Sequence, residues 1–194
     1  MSVSPLALEA AHLIDRLERL ARSGEQVGDL NPAQWEALRY LARANRFSRT
    51  PAALADYLAS TRGTVSRTLA SLEEKGYVAR TPSARDGRSV EFALSENGER
   101  VLKRDPLLAL AKDIEQAAGD ALPEFLEGLR HTLRRAIARN RGRAFGACYT
   151  CRHFRANVRP ASRTQHHCAL LDEPLSEADS RLICAEQESA AGAA

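Results

Sequence analysis

Apolar residues return every three or four positions at the start of the chain, where Leu6, Ala10, Leu13, Leu17 and Leu20 are interleaved with Glu9, Asp15, Arg16, Glu18 and Arg19. That period predicts an amphipathic helix ending at Gly24, and its apolar stripe requires a partner surface. A second helix begins in "LNPAQWEALRYLARA". Asn31 is placed to cap it, Pro32 takes the first helical position, and Trp35, Leu38 and Leu41 or Ala42 turn inward. Thr50 and Pro51 open a short third helix that buries Leu54 and Leu58. "STRGTVSRTLASLEEKGYV" gives a fourth, capped by Thr61, sealed by Val65, Leu69 and Leu72, and stopped by Gly76.

The period then shortens. "YVART" and "SVEFAL" predict two strands, joined through "PSARDGR" as a hairpin with a long basic tip. Ser95 caps the next helix, and two helical stretches follow. Val101, Leu102, Leu107, Leu108, Leu110 and Ile114 mark the first, which Pro106 is expected to bend; Leu122, Leu126, Leu129, Leu133 and Ile137 mark the second. "RNRGRAFGA" ends the periodicity, and the final "SAAGAA" has no side chain able to fix it in one conformation.

Composition adds the compartment and the partner. No apolar run approaches the roughly 18 positions of a membrane helix, so a soluble protein without membrane contact is expected. The N-terminus lacks a basic segment leading into an uninterrupted apolar core, which points to a reducing cytoplasm. Between Thr61 and Val90 stand six basic residues (Arg62, Arg67, Lys75, Arg80, Arg85, Arg88) against three acidic ones (Glu73, Glu74, Asp86). That excess equals the +3 of the whole chain, so positive potential is focused on one stretch.

Helix, short helix, helix and hairpin, in that order, make a winged helix-turn-helix. With Val65, Leu69 and Leu72 inward, the fourth helix would present Thr64, Ser66, Arg67, Thr68 and Ser71 to a major groove, with Thr61 and Arg62 at its start. Gly63 keeps that start narrow. Arg85 and Arg88 at the hairpin tip suit a narrow minor groove, and Asp86 between them is expected to brace the wing by pairing with an arginine.

"NPAQWEALRYLA", "TVSRTLASLEEKGYVAR" and "RDGRSVEFALSENGERVL" resemble the MarR family of bacterial transcription regulators over residues 5–140. The resemblance implies a homodimer built from the first and last helices. It implies double-stranded DNA with a pseudo-palindromic operator as partner, the two reading helices lying about 34–36 Å apart. Members of that family usually repress, and are released by a small-molecule effector or by oxidation.

All four cysteines lie in the last quarter of the chain: Cys148, Cys151, Cys168 and Cys184, separated by two, sixteen and fifteen residues. Thiolates are soft ligands, and in a reducing compartment a Cys-x-x-Cys pair with two further cysteines reads as metal-binding before it reads as disulfides. His166 and His167 adjoin Cys168, which leaves a three-cysteine, one-histidine zinc site open. "CYTCRHF", "HHCALLDEPL" and "RLICAEQ" resemble the cluster-binding half of high-potential iron-sulfur proteins, which implies a [4Fe-4S] cluster on the four cysteines; zinc is the alternative. Leu170, Leu171, Leu175, Leu182, Ile183, Phe145, Tyr149 and Phe154 would shield the metal.

The expected architecture is mainly α with a small β-hairpin wing. A dimerisation helix spans 1–30, the DNA-binding domain 31–98, further dimerisation helices 99–143, a metal-nucleated lobe 144–188 and a loose end 189–194. The expected function is a transcriptional repressor, not an enzyme, whose operator binding follows the state of the tail. Two alternatives stand beside it: a structural zinc site with a small organic effector, and a Cys-x-x-Cys redox protein that uses the winged helix for docking.

Overall fold

The computed structural model describes residues 3–23, 29–83 and 89–189. The last residues of "SAAGAA", beyond 189, lie outside the described residues. Helix α1 (Pro5–Ser23) is followed by α2 (Pro32–Arg43), a 3-10 turn (Arg46–Ser48), α3 (Pro51–Tyr57) and α4 (Arg62–Glu74). Strands β1 (Val78–Pro82) and β2 (Val90–Leu94) pair antiparallel, from Val78 opposite Leu94 to Pro82 opposite Val90. Helices α5 (Glu96–Leu102), α6 (Leu107–Ala118) and α7 (Leu122–Arg139) complete the main body.

Local chemistry sets these boundaries. Asn31, Thr50, Thr61 and Ser95 each accept a hydrogen bond from a backbone N–H in the first turn of their helices. Gln34 does double duty: it closes a capping box with Asn31 and donates through Nε2 to Ser71 Oγ at 3.0 Å, tying α2 to α4. Gly76 takes φ +73 to end α4, the left-handed geometry that favours glycine.

The core sits where α2, α3 and α4 meet the hairpin. Trp35, Leu38, Leu41, Leu54, Val65, Leu69, Leu72, Val78 and Phe92 are all buried there. Leu58, expected inside, is only half-buried against this cluster.

Pro106 does more than bend a helix. The chain breaks between Leu102 and Leu107, because proline withholds a helical donor and the Asp105 side chain takes the Leu107 N–H at 2.8 Å. Asp105 also binds Arg39 of α2 through both carboxylate oxygens, at 2.6 and 2.8 Å.

The tail folds into a small three-stranded antiparallel sheet, β3 (Phe154–Arg155), β4 (His166–Cys168) and β5 (Glu173–Leu175), with a short α8 (Glu177–Arg181). It is seated on the main body. Phe145, Ile183 and Ala185 join the same core as Trp35 and Leu38, and Phe145 stands edge-on to Tyr40 and Tyr57 at 6.1 and 5.2 Å. The lobe expected to be nucleated by metal is one whose apolar side chains pack on the winged domain. Three of its apolar side chains fill a hole in the winged domain, and burial of that kind stabilises without a ligand. Tyr149 and Leu170, expected as shielding, are exposed.

Candidate nucleic-acid interface and thiol cluster

Helix α4 separates its faces cleanly. Val65, Leu69 and Leu72 are at most 2% exposed, while Thr61, Arg62, Thr64, Ser66 and Arg67 are open to solvent. Among the described residues Arg62, Arg67 and Arg80 form no ion pair, so their charge is available to an outside anion. Thr61 Oγ1 is spent on the cap, accepting from Thr64 N at 3.1 Å. Thr68 is half-buried and donates back to the Thr64 carbonyl at 3.1 Å. Ser71, also half-buried, receives Gln34 and serves the seam between α2 and α4. The reaching face is therefore concentrated in the first two turns.

Gly63 is informative. A Cβ built there meets nothing within 4 Å, so internal packing does not demand the glycine. A bare backbone at the exposed start of a helix admits close approach from outside. Arg85, Asp86 and Arg88, the expected wing contacts and brace, lie outside the described residues. The strands leading to them are in place, and they are buttressed where the Arg49 carbonyl accepts from Phe92 N at 2.8 Å.

Three helices carry exposed apolar residues. Leu6, Leu13, Leu17 and Leu20 of α1 are exposed, as are Leu107 and Leu108 of α6 and Phe125, Leu126, Leu129 and Leu133 of α7. Neither α6 nor α7 buries a single described residue. An apolar surface this extensive marks an interaction site.

The four cysteines converge. Cys148, Cys151, Cys168 and Cys184 line one small cavity of about 20 Å³, together with His153, Phe154, Leu170, Leu175 and Glu186. The thiol of Cys148 donates to Cys184, which pulls Cys184 down to about 6 and holds Cys148 above its ordinary value. Burial raises both, and the Asn45 amide beside them lowers both. Among the described residues no group of three or more His, Cys, Asp or Glu is disposed to hold a metal ion. A ready-made [4Fe-4S] or zinc centre is thus not what the geometry presents; thiols suit a thiophilic metal, but Cys148 and Cys184 are hydrogen-bonded to each other.

The neighbouring histidines are otherwise engaged. His166 accepts from Asn157 N on Nδ1 at 3.1 Å, which leaves Nε2–H to donate to Glu177 Oε2 at 2.9 Å. His167 faces Asp172 at 3.2 Å. His153 is the histidine that lines the cavity, and the sequence reading passed it over although "CYTCRH" sets it two residues after Cys151.

Asn45 was missed as well. It is 1% exposed and donates through Nδ2 to Cys148 Sγ at 3.4 Å, and its Oδ1 has no partner among the described residues. Nothing local in the sequence points to a contact spanning a hundred residues. No described helix is long and apolar enough to cross a membrane.

Comparison with known proteins agrees with this arrangement. A family profile described as MarR family matches residues 28–89, a span that ends before the first cysteine. An uncharacterized HTH-type transcriptional regulator of Mycobacterium bovis is 34% identical over 98 residues, covering 50% of this chain and 67% of the relative. The transcriptional regulator BldR of Sulfolobus solfataricus superposes with a TM-score of 0.54 at 22% identity, over 70% of this chain and 99% of BldR. FabT of Streptococcus pneumoniae, solved in complex with DNA, gives 0.53 at 22% identity over 68% and 94%. With its winged helix, its uncovered flanking helices and a relative matched over two thirds of that relative's length, the chain belongs to the MarR family of winged-helix transcriptional regulators.

Proposed function

We propose that this chain is a sequence-specific regulator that binds a pseudo-palindromic DNA duplex as a homodimer and represses transcription. The carrying observation is the outer face of α4, where Arg62, Thr64, Ser66 and Arg67 stand exposed beside a glycine that packing does not need. MarR-family proteins bind DNA as homodimers, and the bare stripes on α1, α6 and α7 supply the surface a second copy would cover. Arg85 and Arg88 would follow the minor groove, with Asp86 as their brace.

The four thiols belong to the same reading. They would take a thiophilic metal, as an iron-sulfur cluster or as zinc, whose presence modulates operator affinity. The convergence of all four on one cavity supports this. Binding would replace the Cys148–Cys184 hydrogen bond by coordination.

A second reading has its own support. A cavity of about 420 Å³ lies between α2, α3 and the break before α6, lined by Glu36, Arg39, Tyr40, Tyr57, Leu102 and Leu107. Its size suits a small organic effector.

The test is fluorescence anisotropy with a duplex recovered by in vitro selection. Arg67→Ala should weaken binding by about 1–3 kcal/mol and relax base preference. If neither Arg67→Ala nor Arg62→Ala alters affinity, the reading face has been misassigned.

A further inference from the structure

A larger concentration of positive charge lies outside the winged helix. From Gly128 to Leu171 there are ten arginines, no lysine and no acidic residue, in a chain whose whole excess is +3. Four of the ten are neutralised by acids from elsewhere. Glu127 takes Arg130 and Arg134 at 3.6 and 2.7 Å, Arg143 lies 3.4 Å from Asp56 and 3.0 Å from Glu186, and Arg152 meets Glu188 at 2.7 Å. Arg135, Arg139, Arg141, Arg155, Arg159 and Arg163 are exposed and form no ion pair among the described residues. The last three, spaced four apart, stand at the end of β3 and along its connection to β4.

That connection is closed by its own hydrogen bonds. Ser162 N donates to the Arg159 carbonyl at 2.9 Å, which turns the chain tightly over Pro160, and Arg159 N donates to the Gln165 carbonyl at 3.1 Å. Asn157, at φ +53, gives its N–H to Nδ1 of the buried His166 at 3.1 Å. Arg155 Nη1 donates to the carbonyls of Arg152 and Phe154 at 2.8 and 3.2 Å, contacts that orient the group and leave its charge uncompensated. The backbone is thus engaged inward while three guanidinium groups face solvent.

The lobe that carries this connection is tied to the reading head by a seam. Ile183 N donates to the Arg43 carbonyl and Asn45 N to the Ile183 carbonyl, both at 2.9 Å, a strand-like bridge to the end of α2. Ala185 N donates to Ser48 Oγ at 2.8 Å, and Arg46 reaches the Pro174 carbonyl at 2.7 Å. All of these contacts fall on residues 43–48, which deliver the chain into α3, so the arginines are held in one body with the helix-turn-helix.

The chemistry selects the partner. Arginine presents a planar fork that matches phosphate oxygens, and three such forks without a neighbouring acid suit a polyanion. Val158 is the connection's one exposed large apolar residue, too little to anchor a protein interface or to enter a bilayer, and there is no aromatic platform on which unpaired bases could stack. We infer that the β3–β4 connection grips backbone phosphates of the duplex beyond the operator. Each protomer then holds DNA at two places, base edges under α4 and phosphates under Arg155, Arg159 and Arg163. This rests on the DNA-binding reading and extends it to a surface outside the residues matched by the family profile.

The test is fluorescence anisotropy of the full chain on one selected operator in two lengths, cut to its two half-sites or extended at both ends by two helical turns of unrelated sequence. Wild type should bind the extended duplex more tightly. Arg155→Gln, Arg159→Gln and Arg163→Gln combined should remove that gain, and should flatten the dependence of log affinity on log salt by about 0.9 for each arginine lost from a phosphate. On the cut duplex the variant and wild type should bind alike and with the same base preference, which also shows that the variant folds. Arg155→Lys, Arg159→Lys and Arg163→Lys combined keep the charge and should retain most of the salt slope.

Equal affinity and equal salt slope of wild type and the glutamine variant on the extended duplex overturn the inference. So does a loss of the same size on the cut duplex, a lysine variant as weak as the glutamine one, or a loss confined to single-stranded RNA or to phosphatidylserine vesicles. Wild type that binds no duplex at all removes the DNA reading itself, and this extension with it.

Discussion

Arg39 and Asp105 form a two-pronged ion pair, N–O distances 2.6 and 2.8 Å, that locks α2 to the break before α6. The two side chains are 19% and 9% exposed, and Asp105 also takes the first free N–H of α6. The pair thus fixes how the winged domain meets α6, whose apolar residues Leu107 and Leu108 are exposed. Removing one member strands the other where water reaches it poorly. Asp105→Ala should cost about 2–4 kcal/mol in urea unfolding, somewhat less than a fully buried pair because this one is partly wet.

Two glycines should respond in opposite ways. A Cβ on Gly98 would lie 2.2 Å from the Tyr77 carbonyl oxygen, a backbone atom with no room to yield, so Gly98→Ala should lose about 1–3 kcal/mol of stability by thermal or urea melt. Gly63 faces open space. Gly63→Ala should melt at the wild-type temperature or slightly above it, yet bind operator more weakly if the helix start approaches a phosphate.

The uncovered stripe on α7 makes its own prediction. Leu129→Glu combined with Leu133→Glu places two charges on the exposed apolar face and should yield a monomer by light scattering. Affinity for a two-half-site operator should then fall by about 10²–10⁴, the usual worth of linking two binding modules. A dimer that survives both changes would put the interface elsewhere.

Acid should loosen α8. Hydrogen bonds from His166, and then from Arg181, hold the Glu177 carboxyl below its ordinary value of 4.5, with burial opposing weakly. A depressed carboxylate contributes stability that is present above its unfolded-state value and is lost as pH falls through the folded one. Native-state hydrogen exchange in α8 should therefore accelerate as pH falls below 4.5, and Glu177→Gln should flatten that dependence.

The sequence made the main body readable because its signals are local. Asn31 before Pro32, Thr50 before Pro51 and Ser95 before an acidic turn each announce a helix start within four residues, and each is found in that role. The period of Val65, Leu69 and Leu72 separates the buried face of α4 from its open one. Ser71 shows the limit of periodicity, which puts it on the reading face without seeing Gln34 waiting 37 residues upstream. The thiol site illustrates the same limit more strongly. Cysteine spacing gathers the sulfurs, but Asn45, His153 and the bridge at Ile183 come from segments whose meeting depends on how the tail lies on the head.

Because Phe145 closes an aromatic trio with Tyr40 and Tyr57, a truncation at the end of α7 would uncork the head. Residues 1–143 alone would carry a greasy socket with two tyrosine rings in its wall. In the whole chain that socket is kept from water by Phe145, Ile183 and Ala185 together, so the last quarter of the sequence acts as a stopper for the first half.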